Sequence, residues 1–355
     1  MNEFLEKGFF GHTFPKKWIL GKYEIEFLEI LSKQIKSRFP ENNGLLVNLT
    51  WLDQEFLDPP VAKILREHCK HNNIENLFLF SSVDPVSQSQ LDICSSLVDH
   101  NNIFMIGNFA GPLTWNIFAI MLAKEFTKHG PDDIILREPN YLFLSYNRKP
   151  RRHRVKLVNR IIEEGLDKYG IITLGKNDSM YDQEESHPFL SLGEDVESYR
   201  DQGHWYTADE EIYGLPHDLG LGRLDLWQNH FLTISGNTTD GTETVEHFFA
   251  PQIIWKPIIG LRPFVINGDP KLYEYLRSRG FETFEKDLGL KIYNNWEDNI
   301  GSIIELLKDL SKLKPSSLKS MYDSLLPKLL HNRNRFFEFA AEEELRIHKI
   351  IEEIQ

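Results

Sequence analysis

Positive charge is concentrated in one short segment of the chain, SYNRKPRRHR, where five arginines and lysines lie between Arg148 and Arg154. The apolar run before it, residues 141–147, predicts a buried β-strand, and Pro150 begins a predicted helix. Where a strand passes into a helix, free backbone N–H groups and the helix dipole attract anions. Because the planar guanidinium of arginine binds two phosphate oxygens at once, the segment predicts a site for a phosphate-bearing ligand.

Two other interpretations of the basic segment stay open. A run of charged residues is often a solvated surface feature, and such runs also occur in nuclear-localisation and nucleic-acid-binding patches. The chain has 355 residues and a formal net charge of −13, which argues against a broad nucleic-acid surface, since duplex binding needs many cations on one face. The position between a strand and a helix favours the anion site.

Composition indicates a globular protein of a reducing compartment. Apolar residues make up 41% of the sequence, enough for buried cores, and the length suits two domains. The two cysteines, Cys69 and Cys94, form no disulfide framework. The first residues lack the pattern of a signal peptide, and no run has the length of a membrane span. We therefore expect a cytoplasmic protein without a membrane span.

The first part of the chain, residues 1–137, predicts an α/β domain. Apolar strands alternate with helices, a pattern typical of a parallel sheet that is covered on both faces. The predicted strands are residues 44–52, 74–83 and 102–109, and the predicted helices are residues 59–72, 87–100 and 111–130.

Residues 138–312 predict a second α/β domain, and residues 313–355 predict helices that pack back on the domains. The predicted strands are residues 141–147, 171–175, 230–236, 262–268 and 281–284, and the predicted helices are residues 150–170, 250–260 and 269–280. The helical tail is expected in three pieces, residues 297–313, 316–332 and 334–354. The expected fold is thus two Rossmann-like domains that face a cleft, with ligands beyond the carboxyl ends of the strands.

A second stretch, residues 248–284, resembles the nucleotide-binding half of GT-B glycosyltransferases, especially the fucosyltransferase-like and exostosin-like enzymes of microbes and viruses. The segment SYNRKPRRHR, with Asn147, Arg148, Pro150 and His153, is similar to the opening strand and loop of the same family. The matching residues of the second stretch are Lys256, Pro257, Ile258, Gly260, Pro263, Phe264, Gly268, Leu272, Leu276, Gly280, Phe281, Thr283 and Phe284.

This resemblance implies a nucleotide-sugar donor held by the C-terminal domain and an acceptor held mainly by the N-terminal domain. It also implies that arginine and lysine, rather than a metal ion, neutralise the departing diphosphate, with the nucleotide sugar as a co-substrate and no further cofactor. The sequence agrees on one point, since it contains no Asp-x-Asp triplet of the kind that holds a divalent cation on a diphosphate.

The chain departs from the family pattern at two places. Where the family has a Glu-Lys pair before the helix that ends in Lys-Pro-Ile, this sequence has Gln252 and Ile253. Where the family has a glutamate after the preceding strand, it has Gly236 and Asn237. Glu243 and Glu246 are the candidates for the ribose contact in its place.

The chemistry of glycosyl transfer selects the candidate residues. Arg148, Arg152 and Lys256 are the predicted cations that stabilise the leaving diphosphate. Asp53, which follows a predicted strand and stands near Trp51, is the predicted general base, and Asp84 is its rival. For both aspartates a turn or helix-capping role is an open alternative. The remaining predicted substrate-binding residues are Asn147, His153, Arg154, Glu243, Glu246 and Pro257.

The sequence thus predicts a metal-independent glycosyltransferase that acts on a glycan or glycoconjugate acceptor. A virus-type DNA-base glycosyltransferase is a variant of this prediction, disfavoured by the acidic net charge. A non-catalytic nucleotide-binding or glycan-binding protein is a second class, because the Glu-Lys pair is missing. An unrelated α/β enzyme that acts on phosphorylated metabolites is a third.

Overall fold

The computed structural model describes residues 44–48, 67, 70–71, 76–86, 102–109, 119–120, 122–123, 129–147, 152–174, 221, 224–236 and 252–353. The chain divides into two compact units. The first unit comprises Met1–Met121, Val245–Phe249 and Ala340–Gln355, and the second comprises Leu122–Thr244 and Ala250–Phe339. The domain limits expected from the sequence stay a prediction.

The first unit contains a parallel sheet of three strands in the order β1-β2-β3. These strands are β1 (Gly44–Asn48), β2 (Asn76–Val86) and β3 (Asn102–Phe109). Gly44 pairs with Asn76 and Asn76 with Asn102, so the strands begin side by side. The three predicted strands of this half are therefore confirmed, and the last of them at its predicted limits.

The second unit contains a parallel sheet of four strands in the order β5-β4-β6-β7. The chain runs from β4 outward to β5, then returns past β4 to β6 and continues to β7. The strands are β4 (Tyr141–Asn147), β5 (Gly170–Leu174), β6 (His230–Gly236) and β7 (Phe264–Asn267). Their residues are almost all buried, as expected of parallel strands that helices cover on both faces.

Helices connect and cover these strands. After β4 comes α1 (Arg152–Glu163), α2 (Leu224–Asn229) leads directly into β6, and α3 (Gln252–Ile259) lies between β6 and β7. The helices after β7 are α4 (Lys271–Ser278), α5 (Glu285–Leu288), α6 (Trp296–Ser311) and α7 (Pro315–Glu353). No helix in these described ranges combines the length and apolar character that crossing a membrane requires.

Two predictions about the end of the chain are wrong. Residues 281–284 form no strand, because the backbone N–H and carbonyl of Glu282 are both bonded by the side chain of Asn332, at 2.7 and 2.8 Å. The tail forms two helices rather than three, since α7 continues without a break past Arg333, where the second and third predicted pieces were to be separated. In α7, Phe336 and Phe339 pack on Trp255 of α3, which gives the long helix an apolar contact with the body of the second unit.

A fully buried arginine closes the carboxyl end of α3. Arg262 donates to the carbonyls of Gly260 and Leu261 at 3.2 and 2.7 Å, to the carbonyl of Ile134 at 3.0 Å, and to the hydroxyl of Tyr322 at 3.2 Å. The last carbonyls of a helix have no partner within it, and positive charge at this end is favourable. Burial lowers the pKa of Arg262 to about 10, so the guanidinium stays charged at neutral pH.

A buried histidine lies beside this arginine. A carbonyl oxygen only accepts, so His230 donates from Nδ1 to Leu226 at 2.6 Å, and its Nε2 then accepts from Thr233 Oγ1 at 2.9 Å. Both ring nitrogens of the neutral form are therefore satisfied. Burial, reinforced by the positive charge of Arg262, lowers the pKa of His230 from 6.5 to about 3.

His230 makes the stability of the protein fall in acid. Below pH 6.5 the unfolded chain binds a proton on this histidine, which the folded chain takes up only near pH 3. Between about pH 7.5 and about pH 5 we expect this residue to lower the free energy of unfolding by about 2 kcal/mol. Urea denaturation of the wild type and of His230→Gln at both pH values measures it. Equal losses in the two proteins would assign the acid sensitivity to other groups.

Candidate functional site

The carboxyl ends of β4 and β6 form the topological switch point of the second sheet. The connections leave these neighbouring strands in opposite directions, and in open α/β sheets ligands bind beyond the strand ends at this place. The pairs Tyr146 with Ser235 and Gly236 with Asn267 put the strand ends in register. The last residues of β4, β6 and β7, which are Asn147, Gly236 and Asn267, therefore lie in one row.

Asn147 is fully buried at the centre of this row. Its backbone N–H donates to Thr173 Oγ1 at 3.0 Å, and its side-chain amide donates to Ser145 Oγ at 2.9 Å. Its Oδ1 atom faces Gly236 so closely that a Cβ atom there would lie 2.5 Å from it. Position 236 therefore accommodates only glycine while Asn147 keeps this place.

Arg154, in the first turn of α1, fills the space above Gly236. Its Nη2 atom donates to the carbonyl of Gly236 at 2.9 Å, and its Nε atom would lie 3.1 Å from a Cβ atom at that position. The arginine is only 5% exposed. The resemblance expects a glutamate at this position. Glycine is present instead because Asn147 and Arg154 occupy the space that a larger side chain would need.

His153 and Asn267 attach the same turn of α1 to β7. The side-chain amide of Asn267 donates to the carbonyl of His153 at 3.2 Å, and the imidazole of His153 lies edge-on to Trp296 with ring centroids 6.3 Å apart. Both residues are buried. Asn267 was not among the predicted site residues. Its position near the end of a predicted strand could have identified it from the sequence.

Lys256 approaches β4 from its other face. Its Nζ atom lies 5.0 Å from the ring centroid of Tyr146, and the side chain is 2% exposed. Ile253, one turn earlier in α3, packs on the same tyrosine. Because successive side chains of a strand point to opposite faces, Lys256 and Arg154 contact opposite sides of the strand end formed by Tyr146 and Asn147.

Two predicted residues have clear structural contacts. Arg152 is half-exposed and lies beside α6, where its guanidinium carbon is 5.5 Å from the ring centroid of Trp296 and its Nη2 atom is 3.9 Å from Glu297. Pro257 is buried in the last turn of α3, and its carbonyl accepts from the N–H of Arg262 at 2.9 Å. Arg152 therefore contacts the neighbouring helix α6, and Pro257 contributes to the carboxyl end of its own helix, α3.

The other predicted residues divide into two groups. Asp53, Arg148, Glu243 and Glu246 lie outside the described residues. Asp84 lies within β2 rather than after it, close to an irregularity in the pairing between Ser81 and Val86. Asn147, His153 and Arg154 are therefore the predicted residues that the structure brings together at the switch point, with Lys256 on the opposite face.

Within the described ranges, no three His, Cys, Asp or Glu side chains converge in a way that could hold a metal ion. What the switch point offers is a buried guanidinium, a buried amide and the amino end of a twelve-residue helix. Such groups bind anions without a metal. Neither the protein-family models nor the curated proteins that were compared with the chain match it.

Proposed function

We propose that the chain is a metal-independent glycosyltransferase of GT-B type, which moves a sugar from a nucleotide-sugar donor to a glycan or glycoconjugate acceptor. The observation that carries this proposal is the meeting of Asn147, Arg154 and Gly236 at the switch point of a parallel sheet. The second unit then holds the donor, and the first unit supplies the acceptor side.

Charge supports a diphosphate as the bound group. A leaving nucleoside diphosphate gains negative charge in the transition state, and cations already in place stabilise it without reorganisation. Arg154 is held at the strand end by the carbonyl of Gly236, and Lys256 is held by the ring of Tyr146. Arg148 follows Asn147 directly in the sequence and is the third cation of the proposed site.

The remaining roles follow from the same chemistry. The amino end of α1 directs its first N–H groups and its dipole toward the phosphates. Glu243 and Glu246 are the proposed ribose contacts, and Asp53 is the proposed base that removes the proton of the acceptor hydroxyl. Transfer breaks the bond between the sugar and the diphosphate and forms one to the acceptor oxygen, whose proton passes to the base.

A second candidate function is nucleotide or glycan binding without catalysis. Two observations favour it. Where the resemblance expects a lysine, Ile253 packs on Tyr146, and where it expects a glutamate, Gly236 has room for no side chain. A protein that has replaced both groups can still bind a nucleoside diphosphate through Arg154 and the amino end of α1.

Donor hydrolysis tests the proposal. We expect the full chain to release the nucleoside diphosphate from one member of a panel of nucleotide sugars, at equal rates with EDTA and with Mg²⁺. Arg148→Ala should lower this rate by about a hundredfold, because it removes one cation from the developing charge. Arg160→Ala is the matched control, since Arg160 lies at the other end of α1, half-exposed and paired with Glu163 and Glu164.

The outcomes separate the two functions. A thermal shift with a nucleoside diphosphate but no hydrolysis of any nucleotide sugar would favour the binding protein. No shift with any nucleoside diphosphate would contradict both the glycosyltransferase and a nucleotide-binding protein, and would favour an unrelated α/β enzyme. Hydrolysis that EDTA abolishes would overturn the metal-independent mechanism.

A further inference from the structure

We propose that Asn267 is a positioning residue, which orients the amino end of α1 toward the bound diphosphate. The proposal rests on the proposed function, because it assigns a purpose to a contact at the edge of that site. Asn267 itself needs no contact with the ligand. It acts through the backbone of His153, whose carbonyl accepts its side-chain amide at 3.2 Å.

Two neighbouring residues of α1 are attached to two neighbouring strands. The carbonyl of His153 is bonded from the end of β7, and the guanidinium of Arg154 is bonded to the carbonyl at the end of β6. The strand ends are about 5 Å apart, so the two bonds hold the first turn at two separated points. Together with the packing of His153 on Trp296, these two bonds fix the direction of the first N–H groups of α1.

The bonding of Asn267 differs from that of an asparagine kept for stability. Asn332 is equally buried and uses both ends of its amide, accepting from the N–H of Glu282 and donating to its carbonyl. Asn267 donates through Nδ2, while its buried Oδ1 atom has no hydrogen-bond partner among the described residues. An unsatisfied buried oxygen costs stability and therefore needs a specific explanation, and a role at a functional site is one such explanation.

The matched pair of asparagines provides the test. The test compares the wild type, Asn267→Ala and Asn332→Ala. For each protein we would measure the binding of inorganic pyrophosphate, the binding of the nucleoside diphosphate that gives the largest thermal shift, and the free energy of unfolding. We expect Asn267→Ala to weaken pyrophosphate binding by about five- to tenfold, the range expected of a misdirected helix end. Asn332→Ala should leave the binding unchanged while losing at least as much stability.

Several results would overturn the proposal. If Asn267→Ala binds pyrophosphate as tightly as the wild type, or if Asn332→Ala is weakened to the same extent, Asn267 acts only on stability. Asn267→Ser, which is smaller but cannot reach His153, is measured alongside, and failure of both variants to fold would also assign the residue to the fold. If the wild type binds neither pyrophosphate nor the nucleoside diphosphate, the proposed function is overturned as well. If the wild type and all variants bind equally tightly, only the role of Asn267 is overturned.

Discussion

Arg262→Met is expected to lower the free energy of unfolding by about 3–5 kcal/mol, the usual cost of removing one partner from a buried charged network. Methionine keeps the apolar stem of the side chain but leaves the carbonyls of Gly260, Leu261 and Ile134 without their donor. Each unsatisfied buried carbonyl costs about 1–3 kcal/mol, which local relaxation reduces. Urea denaturation near neutral pH measures the loss.

A second readout connects this arginine to His230. The positive charge of Arg262 contributes to the lowered pKa of the histidine, so in Arg262→Met that pKa should rise and the acid sensitivity should diminish. Arg160→Met is the control, because Arg160 is half-exposed and its loss should change stability by less than about 0.5 kcal/mol. A loss in Arg262→Met as small as in the control would show that the buried guanidinium adds nothing to the fold.

Gly236→Ala should damage the switch point severely, although it adds only one carbon atom. The new methyl group would lie 2.5 Å from Asn147 Oδ1 and 3.1 Å from Arg154 Nε, and both neighbours are buried. Overpacking of this kind costs about 1–3 kcal/mol of stability. Because the methyl group must displace the amide, the guanidinium or both, we also expect binding of the nucleoside diphosphate to weaken by at least about a hundredfold.

Gly301→Ala is the matched control for this substitution. Gly301 is exposed in the interior of α6, and a Cβ atom there would meet nothing within 4 Å. Since alanine is the better helix former, this variant should gain about 0.5–1 kcal/mol and bind as the wild type does. Unchanged stability and binding in Gly236→Ala would mean that Asn147 and Arg154 have room to move aside, and the row of strand ends would then be no rigid site.

Strand positions followed well from local pattern. The runs 102–109, 141–147 and 230–236 are strands at the predicted limits, as the local pattern of each run indicated. The pattern failed at residues 281–284, a short segment of strand-like composition, because the backbone of Glu282 is bonded by the side chain of Asn332, fifty positions later in the chain. A partner so distant in the sequence leaves no local signal.

The candidate site also has some features that the sequence predicted and others that only the structure revealed. The association of Asn147, His153 and Arg154 with the end of a strand followed from the position of the basic segment. The role of Gly236 could not be predicted from the sequence, because the need for glycine arises only from the side chains of Asn147 and Arg154, which fill the space beside it. Arg152 belongs to the same segment, yet it lies against Trp296 and Glu297, residues of a helix that the sequence places far away.

Local patterning was therefore sufficient for the alternation of strands and helices, and for the presence of cations after the fourth strand, since both depend on residues that are neighbours in the chain. Three-dimensional packing was needed for the strand order, for the row of Asn147, Gly236 and Asn267, and for the placement of Arg154 and Lys256 on opposite faces. The physical reason is that the order of parallel strands depends on how the crossover helices pack on the sheet, which no short segment specifies.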